Sequence, residues 1–151
     1  LPVQYEKGVI AEHMAVREQC GLFDVSHMGE ILLSGPDALK NVNMLLTNDY
    51  TSWRRYSQIQ PHVQRGRSVV DDLIVYKIKD NSYFIVVNAS NKDKDYQWMK
   101  DHVSGDVELK DISGQVASLP FRDQKPWMYL RRWRTRMPSR ISIIPLRRTA
   151  A

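Results

Sequence analysis

The sequence lacks the features that mark secreted, membrane-spanning and metal-binding proteins. Cys20 is the single cysteine, so no disulfide can form within the chain and nothing indicates an oxidising compartment. No apolar run approaches the roughly 20 residues of a membrane span, and the opening LPVQYEKG is neither a signal peptide nor an arginine-rich transit peptide. The four histidines show no metal-ligand spacing. We therefore expect a cytoplasmic protein without a metal site or a membrane segment.

Positive charge is scarce outside the C-terminal segment. The chain has a formal net charge of +5, but residues 120–151 carry nine Lys/Arg and one Asp, together with four of the seven prolines. The other 119 residues hold 13 basic and 16 acidic groups. An argument for nucleic-acid binding from whole-chain charge would therefore rest on this segment alone.

Hydrophobic periodicity predicts helices interleaved with paired strands. Apolar residues at helical spacing indicate helices over 8–20 and from about Pro36, and a third helix is expected to start near Ser90 or Asn91 and bury Met99. Strands are predicted over about 29–33, 69–78 and 83–88, with a further strand in DVELKDIS. The KDNS between two of them is typical of a hairpin turn. This order predicts an α+β fold with a mixed, largely antiparallel sheet and packed helices.

Two adjacent carboxylates open the strand VVDDLIVYK. Side chains alternate along a strand, so Asp71 and Asp72 should point to opposite faces, and only one can face a ligand. On composition alone such a pair is more often a solvated strand start than a catalytic site. We keep that interpretation for Asp71.

Several long motifs resemble the glycine cleavage system T-protein, an aminomethyltransferase. They are AVREQCGLFDVSHMGEILLSGPDAL, LLTND, VVDDLIVYK and FIVVNASNKDKD, in the order and spacing of that family. The resemblance covers about residues 2–119, which would form part of the T-protein folate-binding domain (1–119). Family members are well over twice this length, so we expect this chain to be a fragment, and inactive by itself.

The resemblance implies a reaction and its participants. The T-protein takes the aminomethyl group from the lipoyl arm of the H-protein, passes the one-carbon unit to tetrahydrofolate and releases ammonia. Tetrahydrofolate is then a substrate, the lipoyl group belongs to the H-protein, and neither nucleic acid nor a membrane is an expected partner. Asp72 matches the family's catalytic aspartate, which manages protons and developing positive charge.

Four further residues match positions of the family's folate pocket. Met28 would pack near the folate, Val86 would form an apolar wall, and Tyr76 would stack or hydrogen-bond. Asn88 would offer amide donors and acceptors to the pterin edge. Without the resemblance, Met28 and Val86 would be interpreted as core residues and Asn88 as a turn or helix-cap residue.

Two segments depart from the family pattern. Codons for PHVQRGR, read one base later, can spell Leu-Met-Cys-Asn-Glu-Asp-Gly, and LPFRDQKPW, read two bases later, can spell Ala-Leu-Gln-Gly-Pro-Lys-Ala; both are family motifs at the expected places. We hypothesise that 53–68 and 120–151 are translated out of frame, the latter as a disordered basic tail. An intact reading frame in the gene, supported by the protein's mass, would refute this.

Two alternative functions stay open on the sequence. Related folate-binding domains occur in sarcosine and dimethylglycine dehydrogenases and in iron–sulfur assembly factors. The arginine–tryptophan interleaving of LRRWRTR in the tail is also typical of a small basic nucleic-acid-binding module. Salt-dependent DNA binding that disappears on deletion of 120–151 would favour the second alternative.

Overall fold

The structure is a computed structural model that describes residues 6–52, 57–63 and 69–123. Most of segments 53–68 and 120–151 lies outside the described residues. The hypothesis that these segments are translated out of frame stays a prediction. The helices and strands are α1 (Gly8–Glu18), β1 (Cys20–Leu22), β2 (Gly29–Ser34), α2 (Ala38–Leu45), β3 (Ser57–Val63), β4 (Val69–Lys79), β5 (Ser82–Val87), α3 (Lys92–His102), β6 (Glu108–Asp111) and β7 (Phe121–Asp123).

The described chain divides into two compact units, and the smaller one holds α1, β1 and β7. Strand β1 pairs antiparallel with β7, with Gly21 opposite Arg122. The helix predicted over 8–20 is present but ends at Glu18. Three of its apolar side chains are exposed to solvent: Val9 (61%), Ile10 (83%) and Met14 (43%).

The larger unit, residues 26–117 of the described chain, is built on a five-stranded sheet of order β3-β4-β5-β2-β6. Every described strand pair in it is antiparallel, so the predicted α+β class is confirmed. The KDNS hairpin is also confirmed: Asp80 and Asn81 join β4 to β5, and Asn81 takes a φ of 60°. Short polar residues such as asparagine tolerate this left-handed conformation.

One face of this sheet forms the hydrophobic core. Strand residues that include Ile31, Ile85 and Val87 are fully or almost fully buried, and they cluster with Val42 of α2 and Met99 of α3. Burial of such side chains contributes roughly 1.5–3 kcal/mol each. The predicted burial of Met99 is confirmed.

The opposite face of the sheet carries the intervening residues of the same strands. Register pairs on this face are Glu30 with Val86, Ile74 with Val86, and Tyr76 with Phe84. Because alternation places residues two apart on one side, Asp72 belongs to this face as well. This second face therefore holds three of the predicted site residues.

Among the described residues, no helix is both long enough and apolar enough to cross a membrane. The same part of the chain contains no cluster of three or more His, Cys, Asp or Glu side chains that could hold a metal ion.

Candidate functional site

The candidate site lies where β4 begins and β5 ends. The two strands are antiparallel with Leu73 opposite Val87, so the residues just before Leu73 and just after Val87 meet at one end of the sheet. Asp72 and Asn88 occupy these two positions. Residues that are 16 apart in sequence are thereby brought into hydrogen-bonding contact.

The Asp72 residue is exposed, and the Asn88 amide donates to its carboxylate. Asn88 Nδ2 donates to Asp72 Oδ1 at 3.0 Å and to the Asp72 carbonyl oxygen at 3.2 Å. A carboxylate can accept about four hydrogen bonds, and Asn88 is the one side chain among the described residues that donates to this carboxylate. The arrangement gives a directed carboxylate that is open to a ligand.

Asp71 is the most heavily hydrogen-bonded carboxylate of the site. Its Oδ1 accepts from Asn88 Nδ2 at 3.0 Å and from the Asp72 backbone N–H at 2.9 Å, and its Oδ2 accepts from Asn91 Nδ2 at 2.9 Å. Burial acts to raise the pKa of Asp71, but the hydrogen bonds from Asn91, Asp95, Asn88 and the Asp72 N–H together lower it to about 2. The expectation of a solvated Asp71 is therefore wrong, because amides on the neighbouring segment reach its side chain.

The same contacts change the interpretation of the aspartate pair. Side-chain alternation was expected to separate the two carboxylates, yet Asn88 Nδ2 lies 3.0 Å from an oxygen of each. This is possible because the amide stands beyond the end of β5 and reaches both sides of β4. Asp71 and Asp72 thus belong to one hydrogen-bonded group.

Asp95 lies one helical turn after Asn91, beside this group, and was not identified from the sequence. It lies in the first turn of α3 and is fully buried. Burial, followed by the interaction with Asp71, raises the pKa of Asp95 to about 7, while Lys94 acts in the opposite direction. The sequence did hold one signal: Asp95 is four residues before the buried Met99 and so shares its helical face.

Two of the predicted pocket residues lie further along the second face of the sheet. Val86 is only 4% exposed and pairs with Ile74. Tyr76 is four residues beyond Asp72 on β4, about 13 Å along the strand. Its ring lies 6.0 Å from that of Phe84, with the planes inclined at 58°. Asp72, Val86 and Tyr76 therefore define an elongated strip rather than a tight cluster.

Met28 lies at the same end of the sheet as Asp72. It is half-buried in the turn before β2, and its neighbour Gly29 pairs with Val87. Continuation of that register places Met28 beside Asn88. A Cβ at Gly29 would come within 2.6 Å of the Val87 side chain and 2.5 Å of Lys92, so glycine lets these segments approach closely.

Glu30 is a second buried carboxyl group that the sequence did not single out. It is fully buried on the second face, and no described residue donates a hydrogen bond to either carboxylate oxygen. Burial, then the neighbouring charge of Asp111, raises the pKa of Glu30, and Lys92 acts in the opposite direction. Strand alternation alone did not reveal it, because a glutamate on that face is ordinarily solvated.

Comparisons with known proteins match these elements. The family model described as GCVT N-terminal domain matches residues 1–121. An aminomethyltransferase of Shouchella clausii is 46% identical over 83% of this chain and 34% of its own length. An aminomethyltransferase of Clostridium botulinum is 45% identical over 81% of this chain and 33% of its own length. The chain thus spans about a third of the length of these relatives.

A solved structure shows the same fold. The structure of glycine cleavage system aminomethyltransferase T from Bartonella henselae superposes with a TM-score of 0.76 and 22% sequence identity. The match covers 95% of this chain and 40% of the other.

Proposed function

Because the chain belongs to the GCVT N-terminal domain family, we propose that it supplies the N-terminal part of an aminomethyltransferase of the glycine cleavage system. The enzyme transfers the one-carbon unit from the aminomethyl-lipoyl group of the H-protein to tetrahydrofolate and releases ammonia. The observation that carries the proposal is the exposed Asp72 carboxylate, directed by Asn88, inside the segment that the family model matches.

The chemistry requires a group that accepts protons beside the folate. When the carbon forms bonds to two folate nitrogens, the two N–H protons must leave, one to the ammonia and one to the lipoyl sulfur as its bond to carbon breaks. Asp72 has free acceptor sites for such a proton, and its negative charge stabilises a cationic transition state. Its exposure suits this role, because a substrate can approach it.

The other site residues provide the binding surface for the folate. Val86 and Met28 offer apolar contacts on the β5 side of the aspartate end, and Tyr76 offers an aromatic face at the far end of the strip. The contacts of Asn88 with Asp71 and Asp72 use its side-chain nitrogen and not its side-chain oxygen. That oxygen can accept from a pterin N–H while Nδ2 stays on the aspartates.

The isolated chain is proposed to be inactive. A ligand pocket encloses most of its ligand, whereas Asp72 stands at an exposed sheet end and the chain spans 34% of the Shouchella clausii relative. The remaining two thirds of such an enzyme would close the site. We also propose a cytoplasmic location, with the H-protein and tetrahydrofolate as partners and no nucleic acid or membrane among them.

A hybrid enzyme tests the proposal. Residues 69–117, which hold Asp72, Asn88 and Asp95, would replace the matching segment of the Shouchella clausii aminomethyltransferase. We expect the purified hybrid to release ammonia from aminomethyl-lipoyl H-protein in a tetrahydrofolate-dependent manner, within about tenfold of the unaltered relative. A hybrid that folds, by circular dichroism and thermal melting, but has no tetrahydrofolate-dependent activity would refute it.

A further inference from the structure

The Asp95 carboxyl group is enclosed, and its cationic neighbour Lys94 makes only a long ion pair with it. The residue is 0% exposed, and no described residue donates a hydrogen bond to Oδ1 or Oδ2. Lys94 Nζ forms a long ion pair with Oδ1 at 3.5 Å, and its short hydrogen bond, at 2.8 Å, goes to the Val70 carbonyl oxygen. An ionised carboxylate without hydrogen bonds is costly in a buried position, so the surroundings of Asp95 favour its neutral form.

Asp71, unlike Asp95, has several hydrogen-bond donors. Asp71 accepts from Asn88, from Asn91 and from the Asp72 backbone N–H, and such bonds stabilise an ionised carboxylate. Two neighbouring carboxyl groups hold a single proton when their environments differ in this way. Within the described part of the chain, the charged groups that act on Asp95 are Asp71 from β4 and Lys94 from α3.

We propose that Asp95 is a positioning residue that holds one proton and donates it in a hydrogen bond to Asp71, and that this bond sets the direction of Asp72 through Asn88. The first link is the proximity of Asp95 to Asp71: Asn91 Nδ2 lies 2.9 Å from Asp71 Oδ2, and Asp95 follows Asn91 by one helical turn on the same side of α3. The second link is Asn88 Nδ2, which lies 3.0 Å from both Asp71 Oδ1 and Asp72 Oδ1. The effect of this positioning on one-carbon transfer rests on the proposed function, whereas the location of the proton on Asp95 does not.

The Asn88 amide makes this coupling sensitive to charge. Its nitrogen has two protons and three acceptors in reach, namely Asp71 Oδ1, Asp72 Oδ1 and the Asp72 carbonyl oxygen. With Asp95 neutral, Asp71 already has a donor and leaves the amide to be shared with Asp72. Ionisation of Asp95 removes that donor and adds a negative charge beside Asp71, which then draws the amide away from Asp72.

Carboxyl-carbon NMR titration of the full 151-residue chain tests the proposal. In the unaltered chain the Asp95 signal should titrate near pH 7, and the Asp71 carboxyl signal and the Asn88 side-chain amide signals should show a step at the same pH. Asp95→Asn supplies a permanent amide donor of the same size and should abolish that step while the other signals stay in place.

Asp93→Asn is the matched control, because Asp93 is an exposed carboxylate in the same helical turn. This variant should keep the step near pH 7. Two results would overturn the proposal. The first is titration of Asp95 in the range of an ordinary aspartate, which can be seen in the unaltered chain without any variant. The second is a step in the Asp71 signal near pH 7 that persists in Asp95→Asn. The titration does not depend on aminomethyl transfer by a hybrid enzyme. Failure of the proposed function can therefore be distinguished from failure of the proposal about Asp95.

Discussion

Asn88 reaches from the end of β5 to Asp72 on β4, where its Nδ2 lies 3.0 Å from the carboxylate and 3.2 Å from the carbonyl oxygen of the same residue. Contact at two points on one residue fixes both the backbone and the side chain of Asp72. The same nitrogen contacts Asp71 Oδ1. A single amide therefore organises the aspartate pair.

Removal of this amide should change the ionisation of Asp71. In Asn88→Ala, Asp71 loses one of the hydrogen bonds that hold its pKa at about 2, and we expect its carboxyl titration midpoint to rise above about 3. Asn43→Ala is the control, since Asn43 bonds to Asp49 and Thr51 on another part of the unit. An unchanged Asp71 midpoint in Asn88→Ala would show that the amide is not the organising group.

The stability of the chain should depend on pH through Asp95. Its pKa is about 7 in the folded state and near 3.9 when unfolded, so the unfolded chain loses the proton first. Stability from this group is complete below about pH 4 and falls as the pH rises to about 7. Asp71, with its pKa of about 2, acts in the opposite direction, and its contribution is lost only below about pH 4.

Urea unfolding at two pH values measures this effect. In the unaltered chain, titration of Asp95 should lower the free energy of unfolding by on the order of 3 kcal/mol between pH 4.5 and 7.5. In Asp95→Asn this decrease should be absent. Asp93→Asn should keep the decrease. If both variants keep the slope of the unaltered chain, the carboxyl group of Asp95 is not the source.

Gly35 should tolerate no side chain. Its φ is 131°, and a Cβ there would lie 2.5 Å from the Asp106 carbonyl oxygen. Gly35→Ala should therefore lower the free energy of unfolding by about 2–4 kcal/mol. At Gly114 a Cβ meets nothing within 4 Å, and Gly114→Ala should change stability by less than about 1 kcal/mol. Equal effects at the two positions, measured by chemical denaturation, would contradict the close approach of Gly35 to Asp106.

The isolated chain should bind tetrahydrofolate weakly or not at all. Its Asp72 stands at an exposed sheet end, and the walls that enclose a ligand would come from the rest of a longer enzyme. In isothermal titration calorimetry we expect no saturable binding tighter than about 1 mM. Measurable aminomethyl transfer by the purified chain would show that residues 1–151 suffice for a closed site.

The sequence predicted the fold well where periodicity and turn residues agree. The strand VVDDLIVYKI, the KDNS turn and the strand after it form β4, the hairpin and β5. The third helix begins at Lys92, slightly later than predicted, because residues 89–91 form a 3-10 turn before it. The apolar spacing of α1 predicted a buried face, yet none of its residues is buried in the described part of the chain. The pattern of a single helix cannot reveal whether another element packs against it.

The site was predictable only in part. The resemblance assigned Asp72, Tyr76 and Val86 to one pocket, and the register of the sheet puts these three residues on one face. The partnership of Asp71 with Asn91 and Asp95 could not be predicted, because it depends on how α3 follows β5 in space. Local patterns report which face a residue occupies, whereas the pKa of a carboxyl group depends on tertiary neighbours.

Substitution of Asp72 in the hybrid enzyme tests the central claim most directly. Steady-state kinetics of aminomethyl transfer should show kcat/KM reduced by about 10²–10⁴-fold in Asp72→Asn, with most of the loss in kcat. Asp80→Asn, an exposed aspartate at the other end of β4, should stay within about twofold of the hybrid. A hybrid that keeps full activity with asparagine at position 72 would contradict the assignment of Asp72 as the proton-handling carboxylate.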